Sequence, residues 1–200
     1  DGTLDAQGKD IVVIGGGDTA MDCVRTAIRQ QAKSVKCLYR RDRENMPGST
    51  REVANAIEEG VEFVWLTAPK KFIGDEAIKE VQVNRMKLGL ADSSGRKKPE
   101  VEENSEYNIK ADIVIKSLGF DPENLPKLFS TPELIVSRWG TIKIDLDTMQ
   151  TNIDGVFAAG DIVRGASLVV WAIKDGRDAA ENINKYLKQK ILEKNKIKAA

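Results

Sequence analysis

The N-terminal part of the chain combines apolar runs with one amphipathic stretch. Residues 11–14 are an unbroken apolar run that leads into three glycines, which predicts a strand buried on both faces of a parallel sheet. Residues 18–31 place apolar side chains on one stripe at helical spacing and predict a helix. Residues 34–39 predict a second strand. Residues 10–39 therefore have the length of one βαβ unit.

The hydrophobic pattern changes in the middle of the chain. Residues 50–59 predict a short helix, and residues 61–66 predict a third strand. Between residues 71 and 108, apolar positions alternate with polar ones on both sides of a polar stretch at residues 92–104. That alternation predicts antiparallel strands joined by a hydrophilic hairpin tip. Residues 111–115 return to the unbroken apolar pattern of a buried strand.

The C-terminal part begins with a polar, proline-rich segment. Residues 120–132 hold three of the six prolines, and a domain boundary is expected in this region. Residues 141–146 and 155–159 predict further strands, and residues 166 to about 190 predict one long helix with an apolar stripe. The whole pattern predicts an α/β architecture with a Rossmann-like, doubly wound first domain.

Composition supports a folded protein and excludes several kinds of chemistry. The chain has 200 residues, of which 41% are hydrophobic, and no apolar run is long enough to cross a membrane. Lys plus Arg and Asp plus Glu are both 31, which disfavours a protein that coats nucleic acid. No histidine is present, so catalysis by Ser-His-Asp or Cys-His groups is excluded. We therefore assign no catalytic side chain and expect a cofactor to carry the chemistry.

The two cysteines are too few for a disulfide framework or a four-ligand metal centre. Cys23 lies on the predicted helix stripe and Cys37 in a predicted strand, which is typical of small core residues. We therefore predict no metal site. Unpaired cysteines also agree with a cytoplasmic location, which is the expected one.

The turn after the first strand has the pattern G-x-G-x-x-A and leads directly into a helix. Gly15 permits a tight turn, and Gly17 lets a pyrophosphate approach the backbone because it has no Cβ. Ala20 lets the helix pack close to the strand, and the helix N-terminus offers free N–H groups to phosphates. The alternative is a glycine-rich turn that binds no ligand. The predicted binding residues of this turn are Gly15, Gly16, Gly17, Asp18, Thr19 and Ala20.

The end of the second strand predicts which dinucleotide binds. An acidic residue at this place binds the ribose 2′-hydroxyl of NAD, whereas arginine accommodates the 2′-phosphate of NADP. Arg40 and Arg41 come first here, and Asp42 follows. A guanidinium binds phosphate through two parallel hydrogen bonds, so the two arginines favour NADP. The alternative is a solvated run of charges in which Asp42 binds the ribose of NAD.

A second motif carries a resemblance to a known family. Residues 151–161 combine a threonine, a short apolar strand and the pair Gly160 and Asp161, and this pattern resembles the second FAD fingerprint of flavoprotein reductases with two dinucleotide-binding domains. Over residues 8–187 the chain is similar to the small subunits of NADPH-dependent glutamate synthases. The segments that carry this narrower resemblance are residues 15–23, 39–42, 45–48 and 158–172.

The resemblance implies an NADPH-dependent flavoprotein oxidoreductase with NADP(H) and FAD as cofactors. Residues 1–117 are then the NADP-binding domain, and residues 118–200 are the C-terminal segment of a FAD-binding domain. Asp161 would bind the ribityl hydroxyls, and the helix that begins near Ala166 would direct its N-terminus at the flavin. The residues implied in cofactor binding are Gly119, Gly160, Asp161, Ala166, Ser167 and Leu168.

The chain departs from the family pattern in two ways. It has no separate glycine-rich turn for the FAD pyrophosphate and no cysteine-rich region for iron–sulfur clusters. The resemblance therefore implies a piece of a larger protein, with an incomplete FAD site and a missing N-terminal FAD and iron–sulfur part. Hydride would pass from NADPH to FAD, and electrons would pass through iron–sulfur clusters to a partner like the glutamate synthase large subunit. We expect the isolated chain to be inactive; the alternative is a complete, non-enzymatic NADP-binding or regulatory module.

Overall fold

The computed structural model describes residues 5–91 and 97–199. The chain divides into two compact units, Asp1–Leu118 and Gly119–Ala200. Among the helices of the described residues, none combines the length and the apolar composition needed to cross a bilayer.

The first unit begins with strands and helices in alternation. They are β1 (Asp10–Ile14), α1 (Asp18–Arg29), β2 (Ser34–Tyr39), α2 (Thr50–Glu58) and β3 (Glu62–Trp65). Strands β1, β2 and β3 are parallel neighbours, so the predicted βαβ unit is confirmed. Each predicted element is present, with ends that differ from the prediction by at most two residues.

The rest of the first unit is mostly antiparallel sheet. It contains β4 (Thr67–Gly74), β5 (Ile78–Ala91), β6 (Lys97–Val101), β7 (Tyr107–Lys110) and β8 (Ile113–Lys116). Strand β5 pairs in antiparallel fashion with β4, β6 and β7, which confirms the predicted change of pattern.

The predicted hairpin tip is shorter than its polar composition indicates. The prediction assigned residues 92–104 to a loop, but Lys97–Val101 form β6, and residues 92–96 lie outside the described part of the chain. Polar residues form a strand here because their backbone groups pair with β5, for example at Met86 opposite Val101. An antiparallel sheet can leave one face exposed to water, so the polar side chains of β6 are compatible with a strand.

The parallel sheet has the order β3-β2-β1-β8, so β1 is an interior strand. All five residues of β1 are buried. Ile11 and Val13 belong to a core cluster with residues of α1 and α2, whereas Val12 and Ile14 belong to a second cluster with residues of β5 and β7. Both faces of β1 are therefore covered, and this explains why its apolar run has no polar interruption.

Within the described residues, the second unit contains three helices. They are α3 (Leu125–Leu128), α4 (Asp161–Arg164) and α5 (Val169–Ala199). The long helix was predicted to begin at residue 166, but it begins at Val169. Gly165 adopts φ +84°, which ends α4 and prevents a continuous helix.

The strands predicted at residues 141–146 and 155–159 are wrong. Within the described residues, these segments take part only in isolated bridges, one from Ile142 and one from Phe157. A local turn, in which the amide of Thr151 donates to the carbonyl of Val156, uses backbone groups that a strand would offer to a neighbour. An apolar run becomes a strand only where a partner strand supplies a row of hydrogen bonds.

Candidate functional site

The three consecutive glycines between β1 and α1 have three different environments. A Cβ on Gly15 would lie 2.3 Å from the carbonyl oxygen of Ser117, next to the end of β8. A Cβ on Gly16 would lie 2.4 Å from the ring of Tyr39. A Cβ on Gly17 would meet no atom of the described residues within 4 Å. Gly15 and Gly16 are therefore needed for packing, and the space above Gly17 is open to a ligand.

The open backbone at Gly17 coincides with the start of α1. Gly17 is the N-cap residue, and its carbonyl accepts the amides of Ala20 and Met21 at 2.9 and 3.3 Å. The amides of Asp18 and Thr19 have no protein partner among the described residues. Free amides and the positive end of a helix dipole attract anions. The turn can therefore hold a phosphate group against the backbone.

The side chains of the first helical turn divide into two groups. Asp18 and Thr19 are exposed at the mouth of the turn. Ala20 is fully buried and lets α1 pack closely on the sheet, as predicted. Met21 and Val24 are also fully buried and extend this contact along the helix.

The segment after β2 folds back over the glycine turn. The amide of Gly48 donates to the carbonyl of Gly16 at 2.8 Å. The amide of Ser49 donates to Oδ1 of Asp18 at 2.9 Å. A Cβ on Gly48 would lie 3.0 Å from the same Gly16 oxygen, so a side chain at this position would crowd the contact. The turn and the loop are therefore held as one structure, and no sequence pattern indicates this contact.

The two arginines that follow β2 have different environments. Arg40 is exposed. Arg41 is only 8% exposed, and its Nε donates to the carbonyl oxygen of Lys97 at 2.8 Å. The adjacent arginines are equivalent in the sequence pattern, but in the structure only Arg40 of the pair presents its side chain fully to solvent.

The carboxylate of Asp42 is engaged within its own loop. Its Oδ1 accepts the amide of Asn45 at 3.0 Å and the side-chain nitrogen of Asn45 at 2.7 Å. These hydrogen bonds hold the pKa of Asp42 below its ordinary value, with the side chain of Asn45 as the largest cause. The hydroxyl of Tyr39 donates to the carbonyl of Asn45 at 2.8 Å and fixes the same loop on β2.

Within the second unit, Asp175 joins α4 to α5. Arg164 donates to it through Nε at 2.9 Å and through Nη2 at 2.6 Å. These hydrogen bonds are the largest cause that lowers the pKa of Asp175, and a bond from the backbone of Gly160 adds to them. Asp161 is the first residue of α4, and its side chain is exposed. No sequence motif marks Asp175, and its pairing with Arg164 is evident only in the folded chain.

The other residues of the predicted flavin site lie before the long helix. Ala166, Ser167 and Leu168 are exposed, and the carbonyl of Leu168 accepts the amide of Trp171 at 2.9 Å at the start of α5. Gly119 is exposed at the first position of the second unit and adopts φ +84°. The residues that lead into α5 are therefore accessible to solvent.

The cysteines lie in the core of the first unit. Burial raises the pKa of Cys37 to about 12, which makes its thiol unreactive. Cys23 is half-buried on α1. Both are free thiols and pack against apolar neighbours.

Comparison with known proteins identifies relatives over almost the whole chain. A family model described as pyridine nucleotide-disulphide oxidoreductase matches residues 2–176. The NADPH glutamate synthase small chain of Azospirillum brasilense is 66% identical over 189 residues, which cover 94% of this chain and 39% of that protein. The corresponding protein of Escherichia coli K12 is 46% identical over 185 residues, with 90% and 39% coverage. These identities confirm the family resemblance, and the chain spans less than half the length of these relatives.

Solved structures show the same fold. Thioredoxin reductase of Lactococcus lactis is 26% identical, with a TM-score of 0.75 over 92% of this chain and 54% of that one. Mycobacterium tuberculosis FprA in complex with NADPH is 19% identical, with a TM-score of 0.71 and the same coverages of 92% and 54%. The predicted α/β, Rossmann-like fold class is therefore confirmed.

Proposed function

Because the chain belongs to the pyridine nucleotide-disulphide oxidoreductase family, we propose that its first unit binds NADP(H) for a flavoprotein oxidoreductase. The observation that carries this proposal is the uncovered backbone of Gly17 at the start of α1. A pyrophosphate needs a helix N-terminus with free amides and no Cβ in the way. The 66% identity to an NADPH glutamate synthase small chain supports the narrower assignment to that kind of enzyme.

NADPH is proposed over NADH as the bound dinucleotide. Arg40 is exposed at the end of β2, where the 2′-phosphate of NADP is bound in this type of domain. Asp42, the alternative ligand for the ribose of NAD, already has its Oδ1 engaged by two hydrogen bonds from Asn45. This arrangement supports phosphate recognition by arginine rather than hydroxyl recognition by a carboxylate.

The second unit is proposed to supply the C-terminal segment of a FAD site. The exposed carboxylate of Asp161 suits hydroxyl groups of the cofactor, and the uncovered start of α5 after Leu168 suits its polar ring edge. When both cofactors are bound, NADPH supplies a hydride and FAD accepts it. The residues of this chain bind and orient the cofactors, and no side chain is assigned a proton transfer.

The remaining parts of the reaction are proposed to lie outside these residues. The relatives are more than twice as long as the matched region, which leaves room for the rest of the FAD site and for iron–sulfur clusters. Electrons would then reach a partner subunit similar to the glutamate synthase large subunit. The isolated chain would be inactive for the same reason. A cytoplasmic location is proposed with it, in agreement with the free thiols of Cys23 and Cys37.

A substitution at Gly17 tests the proposal. Gly17 has φ −93° and ψ 178°, which any residue can adopt, so Gly17→Val preserves the backbone and only fills the open space. We expect NADPH binding, measured by quenching of protein fluorescence, to weaken at least about tenfold. Gly176→Ala is the control, because this position on α5 is also open but is remote from the turn in sequence and lies in the other unit. Unchanged NADPH affinity in a folded Gly17→Val protein would contradict the proposed site.

A further inference from the structure

The hairpin formed by β5 and β6 extends beyond the region where β5 pairs with the other strands. Strand β7 pairs with β5 up to Val83 and β4 up to Arg85. In the described part of the chain, strand β6 pairs with β5 between Met86 and Ala91. The sheet therefore projects a two-stranded extension, and Lys97 is the first residue of β6.

This hairpin is attached to the loop after β2 at two places. At the tip, the Nε of Arg41 donates to the carbonyl oxygen of Lys97 at 2.8 Å. At the base, the amide of Leu66 donates to the carbonyl of Arg41 at 3.0 Å, and the amide of Met86 donates to the carbonyl of Leu66 at 2.7 Å. The side chain of Arg41 takes part in the first contact and its carbonyl in the second. This residue therefore holds the hairpin against the loop.

The attachment brings a third cation to the end of β2. Lys97 is exposed, and its backbone lies against Arg41, although the two residues are 56 positions apart in the chain. Its positive charge acts on Asp42, whose pKa is lowered first by the hydrogen bond from Asn45 and further by Lys97. Lys97 therefore lies at the same loop as the exposed Arg40.

We propose that Lys97 is a specificity-determining residue for the 2′-phosphate of NADP, and that Arg41 is the positioning residue that places it. The inference rests on the proposed function of the first unit. A phosphate monoester carries nearly two negative charges and is bound best by more than one cation. Arg40 supplies a planar guanidinium, and Lys97 supplies a compact ammonium on a flexible stem. Arg41, which resembles a phosphate ligand in the sequence, is instead nearly buried and bonded to the hairpin.

Binding of two nucleotides to the full 200-residue chain tests this division of roles. The probes are 2′,5′-ADP and 5′-AMP, which differ only in the 2′-phosphate, and their affinities are measured by titration calorimetry at low salt. We expect Lys97→Gln to weaken binding of 2′,5′-ADP about three- to fivefold and to leave binding of 5′-AMP unchanged. Lys98→Gln is the matched control, because Lys98 is the next exposed residue of β6 and points to the other face of the strand.

The positioning role of Arg41 has its own variant. Arg41→Lys keeps the positive charge but removes the Nε–H group that donates to the carbonyl oxygen of Lys97. We expect it to reduce the preference for 2′,5′-ADP as much as Lys97→Gln does, and the double variant to lose no more than Lys97→Gln alone. Additive losses would contradict the coupling and overturn the positioning role.

Three results separate this inference from the proposed function. Equal effects of Lys97→Gln and Lys98→Gln would overturn it, because a general loss of positive charge would then be the cause. If Arg40→Ser abolishes the preference for 2′,5′-ADP while Lys97→Gln does not change it, the proposed NADP site stands and the role of Lys97 is wrong. If the unmodified chain binds both nucleotides equally, both the NADP preference and the role of Lys97 are wrong.

Discussion

Asp10 is a nearly buried carboxylate at the start of β1 that is surrounded by donors. Its Oδ1 accepts the hydroxyl of Ser34 at 2.7 Å, and its Oδ2 lies 3.1 Å from Nζ of Lys33 and 3.0 Å from Nζ of Lys110. The bond from Ser34 is the largest cause that holds the pKa of Asp10 well below its ordinary value, and the bond from Lys110 is the next. A lowered pKa in the folded state means that ionised Asp10 stabilises the fold above the ordinary aspartate pKa.

Replacement of Asp10 by asparagine is predicted to destabilise the first unit near neutral pH. Lys33 and Lys110 are largely exposed, so water screens their attraction, and the expected loss is about 1–2 kcal/mol in the free energy of unfolding. Urea denaturation at pH 7 measures this loss. Asp75→Asn is the control, because Asp75 is 92% exposed and forms an ion pair with the exposed Lys79.

The same variant carries a pH prediction. Stabilisation by ionised Asp10 is complete above about pH 4 and is lost progressively as the pH falls below that value, because the unfolded chain then takes up a proton that the folded protein, with its lowered pKa, does not bind. The difference in stability between Asp10→Asn and the unmodified chain should therefore shrink as the pH is lowered below 4. A difference that stays constant down to pH 2 would contradict this role of Asp10.

At the scale of elements, α2 is attached to α1 through Arg25. This residue donates to Glu59 through Nε at 2.9 Å and also pairs with Glu52. The bond to Glu59 is the largest cause that raises the pKa of Arg25. Arg29 reaches the same Glu59 oxygen at 3.1 Å, but its side chain is 62% exposed, whereas that of Arg25 is 19% exposed. Arg25 is therefore the principal connection between the two helices.

Loss of Arg25 is predicted to loosen α2 without unfolding the sheet. In Arg25→Ala, Glu59 loses its main partner, and amide hydrogen exchange in α2 should become faster while exchange in β1 stays slow. Hydrogen exchange followed by mass spectrometry measures both elements at once. Arg29→Ala is the matched control and should change the exchange of α2 much less. Equal effects of the two variants would show that Arg25 is not the principal connection.

At the scale of the whole molecule, the second unit exposes many large apolar side chains. On α5, Val169 is 74% exposed, Val170 64%, Ile173 57% and Leu187 50%. Before that helix, Phe120 is 99% exposed. Monomeric proteins rarely leave a contiguous apolar surface of this kind in water. The apolar stripe that the sequence predicts is present on the helix, but the described residues do not bury it.

The exposed stripe predicts concentration-dependent association of the isolated chain. Sedimentation velocity at several concentrations should show a rising average mass. The double variant Val169→Lys with Ile173→Lys should reduce this association, because two charges interrupt the apolar stripe. Asn184→Lys adds the same kind of charge at an exposed polar position of α5 and should have less effect. Association that is insensitive to the stripe substitutions would place the contact elsewhere on the molecule.

Elements with local sequence signals are predictable without the fold. The apolar run at residues 11–14 predicts a strand covered on both faces, and the structure buries all five residues of β1. The glycines that follow predict a turn into a helix, because only glycine allows the close approaches found at Gly15 and Gly16. The periodicity of side chains and the conformational freedom of glycine are properties of short sequence segments. Both can therefore be recognised without knowledge of the fold.

In the second unit, local sequence patterns are not sufficient to predict which segments form strands. Residues 141–146 and 155–159 have the apolar composition of strands, yet within the described residues they form only isolated bridges. A strand depends on hydrogen-bond partners from another segment, and composition does not state whether those partners are present. The start of α5 was likewise decided by the conformation of Gly165 rather than by the apolar stripe.

Contacts between distant segments were decided by the tertiary structure alone. Arg40 and Arg41 are adjacent and chemically identical, but the fold exposes the first and directs the second to Lys97, which is 56 positions away. The pairing of β5 with β6 places that lysine at the loop. Residue types and the local periodicity of hydrophobic positions are present in the sequence itself. Which side chain remains available to a ligand depends on contacts between distant residues, and these exist only in the folded molecule.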